Sequence, residues 1–201
     1  RLVSAYARHF AAQGGVIKRA EVSGFSRTNG RVSGVQLASG SVECDEVVIA
    51  AGPWSTHLTR MLGLNVPLNT ERGYHVSVND AGVSIRNTIM ETDGKFVATP
   101  METGLRFAGT VELASVDAPP DYRRADVILG VAKKMFPKIR PNDVSKWMGR
   151  RPSLPDGLPV IGPAPGHDNV FLAFGHAHTG MVGAPNTARI ITGLVSKQPL
   201  N

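Results

Sequence analysis

The chain has 201 residues, and 22 Lys and Arg against 16 Asp and Glu give it a net charge of +6. Hydrophobic residues make up 42%, and no stretch approaches the roughly 18 consecutive apolar residues of a membrane-spanning helix, so the composition indicates a globular protein of one large or two small domains. The basic residues are scattered and aromatic residues make up only 6%, which argues against a nucleic-acid-binding surface, and the single cysteine, Cys44, excludes an internal disulfide.

Hydrophobic periodicity and turn residues divide the chain into helices and strands. Apolar residues recur at helical spacing from Leu2 to Phe10, and Gly14-Gly15 ends that helix. Because the helix has no lead-in after Arg1, we expect the chain to begin inside a larger protein. In chain order, the predicted elements are a helix at 2–13, strands at 16–22, 31–37, 42–44 and 47–51, a short helix at 57–62, short strands between 66 and 109, a helix at 125–136, a strand at 170–174 and a helix at 181–197.

The middle of the chain differs from its two ends. Short strands with many turn residues between 66 and 109 predict an antiparallel sheet inserted between two parts of an α/β domain. The expected core residues of this sheet are Val76, Val78, Ile85, Ile89, Phe96, Val97, Leu105 and Phe107. Residues 47–51 form a continuous apolar run, as in a strand buried on both faces. Residues 150–166 are rich in proline and glycine and are predicted to form a loop.

The most informative stretch is a glycine-bounded loop before the last helix, with the sequence Gly175-His-Ala-His-Thr-Gly180-Met-Val-Gly183. A turn of this kind directs backbone N–H groups and the positive end of the helix toward one point, which suits an anion or an electron-rich carbonyl. The N1–C2=O2 edge of a flavin is such a group. The same arrangement also binds phosphates, or merely connects two elements.

Two histidines, His176 and His178, lie in this loop. A metal site would need one or two further ligands, and no Asp, Glu or Cys nearby in the sequence completes a set. We therefore predict no metal. We expect one histidine to line a cavity and the other to form structural hydrogen bonds.

A second stretch runs from Trp147 to Gly162 and contains Arg150 and Arg151 before a proline. A guanidinium held by a rigid loop offers two parallel N–H donors that match a carboxylate. One of the two arginines can therefore anchor an acidic substrate. The alternatives are a surface arginine pair, or a salt bridge to Asp156 that fixes the loop.

A third stretch, Asp45-Glu-Val-Val-Ile-Ala-Ala-Gly-Pro-Trp-Ser55, is an apolar strand that ends in small residues. Such an end permits close approach by the phosphates or the adenosine of a dinucleotide. The same residues also suit an ordinary core strand.

These three stretches, in this order, resemble the family of glycine oxidase, D-amino-acid oxidase and D-amino-acid dehydrogenase, with the bacterial dehydrogenase branch looking nearest. The resemblance covers the whole chain, and its specific parts are the arginine stretch and the Gly-His-Ala-His-Thr-Gly loop. It implies an α/β (α+β) fold of the FAD-linked reductase type. Residues 1–66 and 151–201 would form a partial FAD-binding lobe, and residues 67–150 an antiparallel β substrate lobe with one helix.

The resemblance also assigns roles by position. Arg151 aligns with the arginine that binds the substrate carboxylate, which favours the anchor over a surface pair. The implied cofactor-binding residues are Val22, Ala51, Gly52, His178, Thr179, Gly180, Met181 and Val182. His176, Met90 and Phe96 are expected to line the substrate pocket, and a phenylalanine at position 96 lacks the hydroxyl that would contact a carboxylate.

One part of the family pattern is missing. Members of the family open with a strand, a Gly-x-Gly-x-x-Gly turn and a helix that hold the pyrophosphate of FAD, and this sequence contains no such turn. We therefore expect the chain to bind FAD weakly or not at all by itself. A preceding N-terminal segment or a partner chain would supply the rest of the site.

The activity implied by the resemblance is oxidation of a small amino acid or secondary amine, by hydride transfer from Cα to N5 of the flavin. The electrons would pass to a respiratory acceptor, or to oxygen in a glycine- or sarcosine-type oxidase. A rival of another class is a non-catalytic subunit or carboxylate-binding module. We expect a cytoplasmic protein, either free or peripheral to the inner face of the membrane, and no nucleic-acid partner.

Overall fold

A computed structural model describes residues 1–198. That part of the chain forms four α-helices and eleven β-strands in three sheets. The helices are α1 (Leu2–Ala12), α2 (Ser55–Met61), α3 (Arg123–Met135) and α4 (Gly180–Val195). The strands are β1 (Val22–Thr28), β2 (Arg31–Leu37), β3 (Gly40–Glu43), β4 (Val47–Ile49), β5 (Asn69–Asn79), β6 (Ile89–Glu91), β7 (Phe96–Met101), β8 (Gly104–Leu113), β9 (Asp143–Ser153), β10 (Val160–Pro163) and β11 (Val170–Phe174). A 3-10 turn at Gly52–Trp54 joins β4 to α2.

Two three-stranded sheets contain the strands from both ends of the chain. One has the antiparallel order β1-β2-β3, and the other has the order β10-β11-β4, in which β11 and β4 are parallel. The side chain of Asn169 joins them, because its Nδ2 donates to the carbonyls of both Val32 and Asp45 at 2.7 Å. Since β4 and β11 run in the same direction, their carboxyl ends meet at one edge of the sheet.

The third sheet is antiparallel and five-stranded, in the order β6-β7-β8-β5-β9. Helix α3 packs on β5 and β8. It covers a core that includes Tyr74, Val76, Val78, Phe96, Leu105 and Phe107. We call the other side of this sheet the open face. Its residues on β5 and β9 include Glu71, Gly73, His75, Trp147, Gly149 and Arg151, because side chains alternate between the two faces of a strand.

The strand predicted at residues 16–22 is wrong. Val16 and Ile17 are 73% and 63% exposed and pair with no strand, and the extended structure begins at Val22 instead. Strand β1 pairs with β2 through a tight turn whose central residues, Asn29 and Gly30, have φ of 53° and 81°. Asn-Gly in this conformation is a strong hairpin signal. Gly24 and Ser26 interrupt the apolar alternation of β1, so hydrophobic periodicity did not predict this strand.

Two further expectations are corrected. Residues 150–166 do not form one long loop, because β9 continues to Ser153 and β10 begins at Val160. Pro152 is tolerated in β9, since this strand lies at the edge of its sheet. Strand β4 is not buried on both faces, because Val48 is 43% exposed. The division into lobes stays a prediction, and β9 crosses the boundary that was predicted at residue 150.

Candidate functional site

Arg151 lies near the end of β9, and its guanidinium rests on the open face above Gly73 of β5. A Cβ atom at Gly73 would overlap this guanidinium, so the arginine can lie flat on the sheet only because position 73 is glycine. The Nη1 atom of Arg151 is buried and has no hydrogen-bond partner, and within residues 1–198 the guanidinium forms no ion pair. A buried cationic donor without an acceptor is costly, which indicates a site for an anion.

Arg150 points to the opposite face and is already engaged by the protein. Its Nε donates to the carbonyl of Val116 at 2.7 Å, and its guanidinium lies 5.8 Å from the centroid of the Trp54 ring. Asp156 accepts from the N–H of Leu158 at 3.1 Å and does not pair with either arginine. Of the two arginines, Arg151 is therefore the one available to a ligand.

A second buried arginine fixes the segment that holds Arg150. Arg72 is fully buried, and its guanidinium donates to the carbonyls of Ala118 at 2.8 Å and Pro119 at 2.6 Å. Its Nε lies 3.0 Å from Oε2 of Glu112. These contacts attach residues 116–119 to the inner face of the sheet, on the side opposite Arg151.

Trp147 forms an aromatic wall beside Arg151. Its ring stacks on His75, the directly opposite residue of β5, with centroids 4.8 Å apart and an angle of 25°. The same ring covers Gly149, where a Cβ atom would overlap it. Burial, and then the nearby Arg106, lower the pKa of His75, which favours the neutral ring. A cavity of about 380 Å³ is lined by Trp54, Trp147, Met148, Gly149, Arg150 and Arg151.

The loop between β11 and α4 is fastened to the end of β9, next to Arg151. The N–H of Ala177 donates to the carbonyl of Pro152 at 2.8 Å, and His176 forms an antiparallel bridge with Ser153. Ala177 adopts a left-handed conformation with φ of 46°, as the tight turn requires. The loop predicted to face a flavin and the predicted carboxylate anchor are therefore neighbours.

The two histidines of this loop have different surroundings. Nε2 of His176 lies 2.8 Å from Oγ1 of Thr187 in α4, and burial lowers the pKa of the ring. His176 lines a cavity of about 370 Å³ with Val48, Ala50 and Gly180 among its walls. Nε2 of His178 instead lies 3.3 Å from Oε2 of Glu71 on the open face.

Most of the predicted cofactor residues gather at one edge of the fold. Ala51 and Gly52 follow β4, and the loop follows the parallel strand β11, so both lie at the carboxyl edge of that sheet. The first-turn amides of α4, at Gly180, Met181 and Val182, have no acceptor within the helix. The side chains of Met181 and Val182 are 72% and 86% exposed. These free donors fit the acceptor edge of a flavin ring.

Val22 is placed elsewhere. It begins β1, which pairs with β2, and it lines neither the 370 Å³ cavity nor the 380 Å³ cavity. Its predicted contact with the adenine stays a prediction.

The two predicted pocket residues of the sheet are not brought to the anchor. The side chain of Phe96 is 1% exposed and lies in the core under α3, on the face opposite Met90, so its assignment to a pocket is wrong. Met90 is on the open face, but β6 and β9 are the two edges of the sheet. Four strand spacings, about 19 Å, separate them. A small substrate held by Arg151 would not reach Met90.

The site residues on β5 were not predicted from the sequence. Glu71 and Gly73 precede and follow Arg72 in a strand whose register with β9 puts them beside Arg151. Glycine inside a strand often marks the close approach of another group. Gly73 was therefore a usable signal, but only once β5 and β9 were known to be partners.

Within residues 1–198, no group of three or more His, Cys, Asp or Glu side chains is arranged to hold a metal ion. No helix of that range is long and apolar enough to cross a membrane.

Comparison with known proteins places this geometry in a family. The model of the DAO family, described as FAD dependent oxidoreductase, matches residues 1–194. The chain is 41% identical over 203 residues to a D-amino-acid oxidase of Bradyrhizobium diazoefficiens, covering 98% of this chain and 48% of that protein. It is 35% identical over 173 residues to a D-amino acid dehydrogenase of Paramagnetospirillum magneticum, covering 84% and 40%.

A solved structure shows the same fold. Glycine oxidase from Geobacillus kaustophilus superposes with a TM-score of 0.85 at 24% identity, covering 99% of this chain and 54% of that one. The chain spans about half the length of the curated relatives it matches. The predicted resemblance is confirmed, and the chain belongs to the DAO family of FAD dependent oxidoreductases.

Proposed function

We propose that this chain supplies the substrate anchor and the flavin-facing loop of an FAD-dependent enzyme that oxidises a small amino acid. The observation that carries the proposal is the free guanidinium of Arg151, whose buried Nη1 has no partner and whose strand end is bonded to the loop before α4. The names of its relatives, D-amino-acid oxidase and D-amino acid dehydrogenase among them, support an amino acid as substrate.

In this proposal Arg151 binds the substrate carboxylate through two parallel N–H donors and so fixes the orientation of Cα. Its planar fork suits this task better than a lysine would. The ring of Trp147 excludes water from one side of the bound molecule. An amino acid that binds with a neutral amine needs no protein base to lose its Cα hydrogen as hydride. FAD, when bound, supplies the acceptor for the two electrons.

The loop contributes electrostatics to the cofactor side of the site. Free amides at the start of α4, together with the positive end of that helix, stabilise negative charge on a group placed against them. The assigned positions are His178, Thr179, Gly180, Met181 and Val182, with Ala51 and Gly52 on the neighbouring strand end.

The test is flavin reduction by a panel of amines under anaerobic conditions. The protein is loaded with FAD and mixed with D-amino acids, proline analogues, glycine and sarcosine. If the chain alone does not retain FAD, it is joined to the part of the Bradyrhizobium relative that the alignment leaves uncovered. Absence of bleaching with every amine would contradict the oxidoreductase function. Two further assays then separate the two kinds of enzyme. An oxidase consumes oxygen, whereas a dehydrogenase that uses a respiratory acceptor reduces an added dye instead.

Arg151→Ala tests the anchor directly. We expect the KM for the best substrate to rise about a hundredfold, because two charge-assisted hydrogen bonds are lost, and Arg151→Lys to recover part of this loss. Arg123→Ala is the matched control, since that arginine is 89% exposed and pairs with Asp121. An unchanged KM in Arg151→Ala would favour the non-catalytic alternative for this surface.

A further inference from the structure

Glu71 and Arg151 are directly opposite each other on β5 and β9. Opposite charges at such positions have their Cβ atoms about 5 Å apart and ordinarily attract each other. Yet in the part of the chain that the structure describes, the two side chains form no ion pair. The guanidinium of Arg151 lies over Gly73, and the carboxylate of Glu71 lies beside the ring of His178.

The group that holds Glu71 is His178. Its Nε2 lies 3.3 Å from Oε2 of Glu71, and the two side chains are 60% and 30% exposed. The backbone fixes the position of this histidine, because the neighbouring Ala177 is bonded to Pro152 and the hydroxyl of Thr179 donates to the carbonyl of His176 at 2.9 Å. His178 is thus presented to β5 from a loop that is itself tied to β9.

The carboxylate of Glu71 is the same chemical group as the carboxylate that Arg151 would bind. If Glu71 were free, it would compete with the substrate for the guanidinium at a very high effective concentration. We propose that His178 is a positioning residue: it holds Glu71 away from Arg151 and so keeps the anchor open. This inference rests on the proposed function of Arg151.

The test uses acetate, the smallest carboxylate, titrated into the full chain and followed by the ¹⁵N shift of Arg151 Nε. In His178→Ala we expect the Kd for acetate to rise roughly twofold to fivefold, because the released Glu71 pairs with Arg151 at the strength of a partly exposed ion pair. Glu71→Gln should lower the Kd, since it removes a negative charge near the site. The double variant should bind acetate at least as well as the unaltered chain.

The double variant separates competition from damage to the loop. If the Kd for acetate is still raised in Glu71→Gln/His178→Ala, His178 only supports the loop, and the inference is overturned. An unchanged Kd in His178→Ala would overturn it as well. His57→Ala is the matched control, because it removes another exposed histidine near a carboxylate, 3.9 Å from Asp117, away from Arg151.

The outcome for Arg151 itself keeps this inference distinct from the proposed function. If the unaltered chain shows no saturable acetate shift, or if Arg151→Ala leaves acetate binding unchanged at another reporter amide, the proposed anchor fails. If Arg151→Ala abolishes binding while His178→Ala does nothing, the anchor stands and only the positioning role is overturned. In the FAD-loaded protein, the same variants should change KM for the substrate in the same order.

Discussion

Gly73 decides whether the guanidinium of Arg151 can lie flat on the sheet. In Gly73→Ala the new methyl group would overlap that guanidinium, which is the far end of a flexible side chain and can move aside. We therefore expect the Kd for acetate to rise about tenfold, while the free energy of unfolding changes by less than about 1 kcal/mol. Binding is followed by titration and stability by urea unfolding.

A matched glycine shows what the same methyl group does elsewhere. Gly130 lies in α3, and a Cβ there would meet no atom within 4 Å. Gly130→Ala should stabilise the protein by about 0.5–1 kcal/mol, because alanine is the better helix former, and should leave the Kd unchanged. If Gly73→Ala loses stability instead of affinity, the guanidinium is part of the core and not a free anchor.

His176 gives the fold a dependence on pH. Burial lowers the pKa of its ring below the ordinary value of 6.5. As the pH falls below about 6.5, the unfolded chain therefore takes up a proton that the folded chain resists, and the free energy of unfolding decreases. His75, whose pKa is also lowered, adds to the same effect.

The variant His176→Gln should reduce this loss of stability on acidification. Glutamine can still donate to Oγ1 of Thr187 but does not titrate. Urea unfolding gives the free energy of unfolding at pH 7.5 and at pH 5.5, and the difference between the two values measures the effect. Any loss of stability from altered packing is the same at both pH values and cancels in this difference. An equal decrease in the variant and the unaltered chain would assign the pH dependence to other groups.

At the residue scale, the sequence predicted the anchor but not its surroundings. Arg151 was predicted as the anchor only through the resemblance to the family, which aligns it with an arginine before proline. Glu71 and Gly73 are eighty and seventy-eight positions away in the chain, and only the register between β5 and β9 brings them to Arg151. Phe96 was expected both in the core and in the substrate pocket, and the pairing of β6 with β7 places its side chain in the core.

Among the elements, α1 and α3 are similar in length but differ in burial. No side chain of α1 is buried, and Leu2, Val3, Tyr6 and Phe10 are each at least 50% exposed. Helix α3 buries Ala125, Ile128 and Ala132 against the sheet. A helix of about a dozen residues is marginally stable in water unless tertiary packing supports it.

We therefore expect the amides of α1 to exchange with solvent much faster than those of α3, by about a hundredfold or more. Hydrogen exchange with mass spectrometry on peptides that cover 1–13 and 123–136 measures the difference. Equal protection in the two helices would contradict it, and would mean that α1 is covered by another chain or segment in solution.

Elements were predictable where one local pattern governed them. The helical spacing from Leu2 to Phe10 and the run at 170–174 predicted α1 and β11 with little error. Strand β9 was not predicted, because its glycine and proline residues weaken the local preference for a strand. It forms because eleven consecutive residues pair with β5. Tertiary pairing overrode composition there.

At the scale of the whole molecule, the buried apolar residues within 1–198 form two clusters with no residue in common. One lies between the five-stranded sheet and α3 and includes Phe107, and the other surrounds β4 and β11 and includes Phe174. The sequence indicated this division through the change of pattern near residue 66. It could not indicate that β9 and the loop before α4 are bonded to each other across the two parts.

Two matched substitutions test whether the clusters unfold separately. Phe107 and Phe174 are 0% and 1% exposed, so Phe107→Ala and Phe174→Ala should each cost about 3–5 kcal/mol. Because the clusters share no residue, Phe107→Ala should reduce hydrogen-exchange protection in α3, β7 and β8 more than in β4 and β11, and Phe174→Ala should do the reverse. If both variants lower protection equally everywhere, the bonds between β9 and the loop make the chain a single cooperative unit.

The two outcomes also differ in what a ligand at Arg151 would do. In a single cooperative unit, binding would stabilise both clusters alike. In separate units, most of the stabilisation would be confined to the strands that carry Arg151.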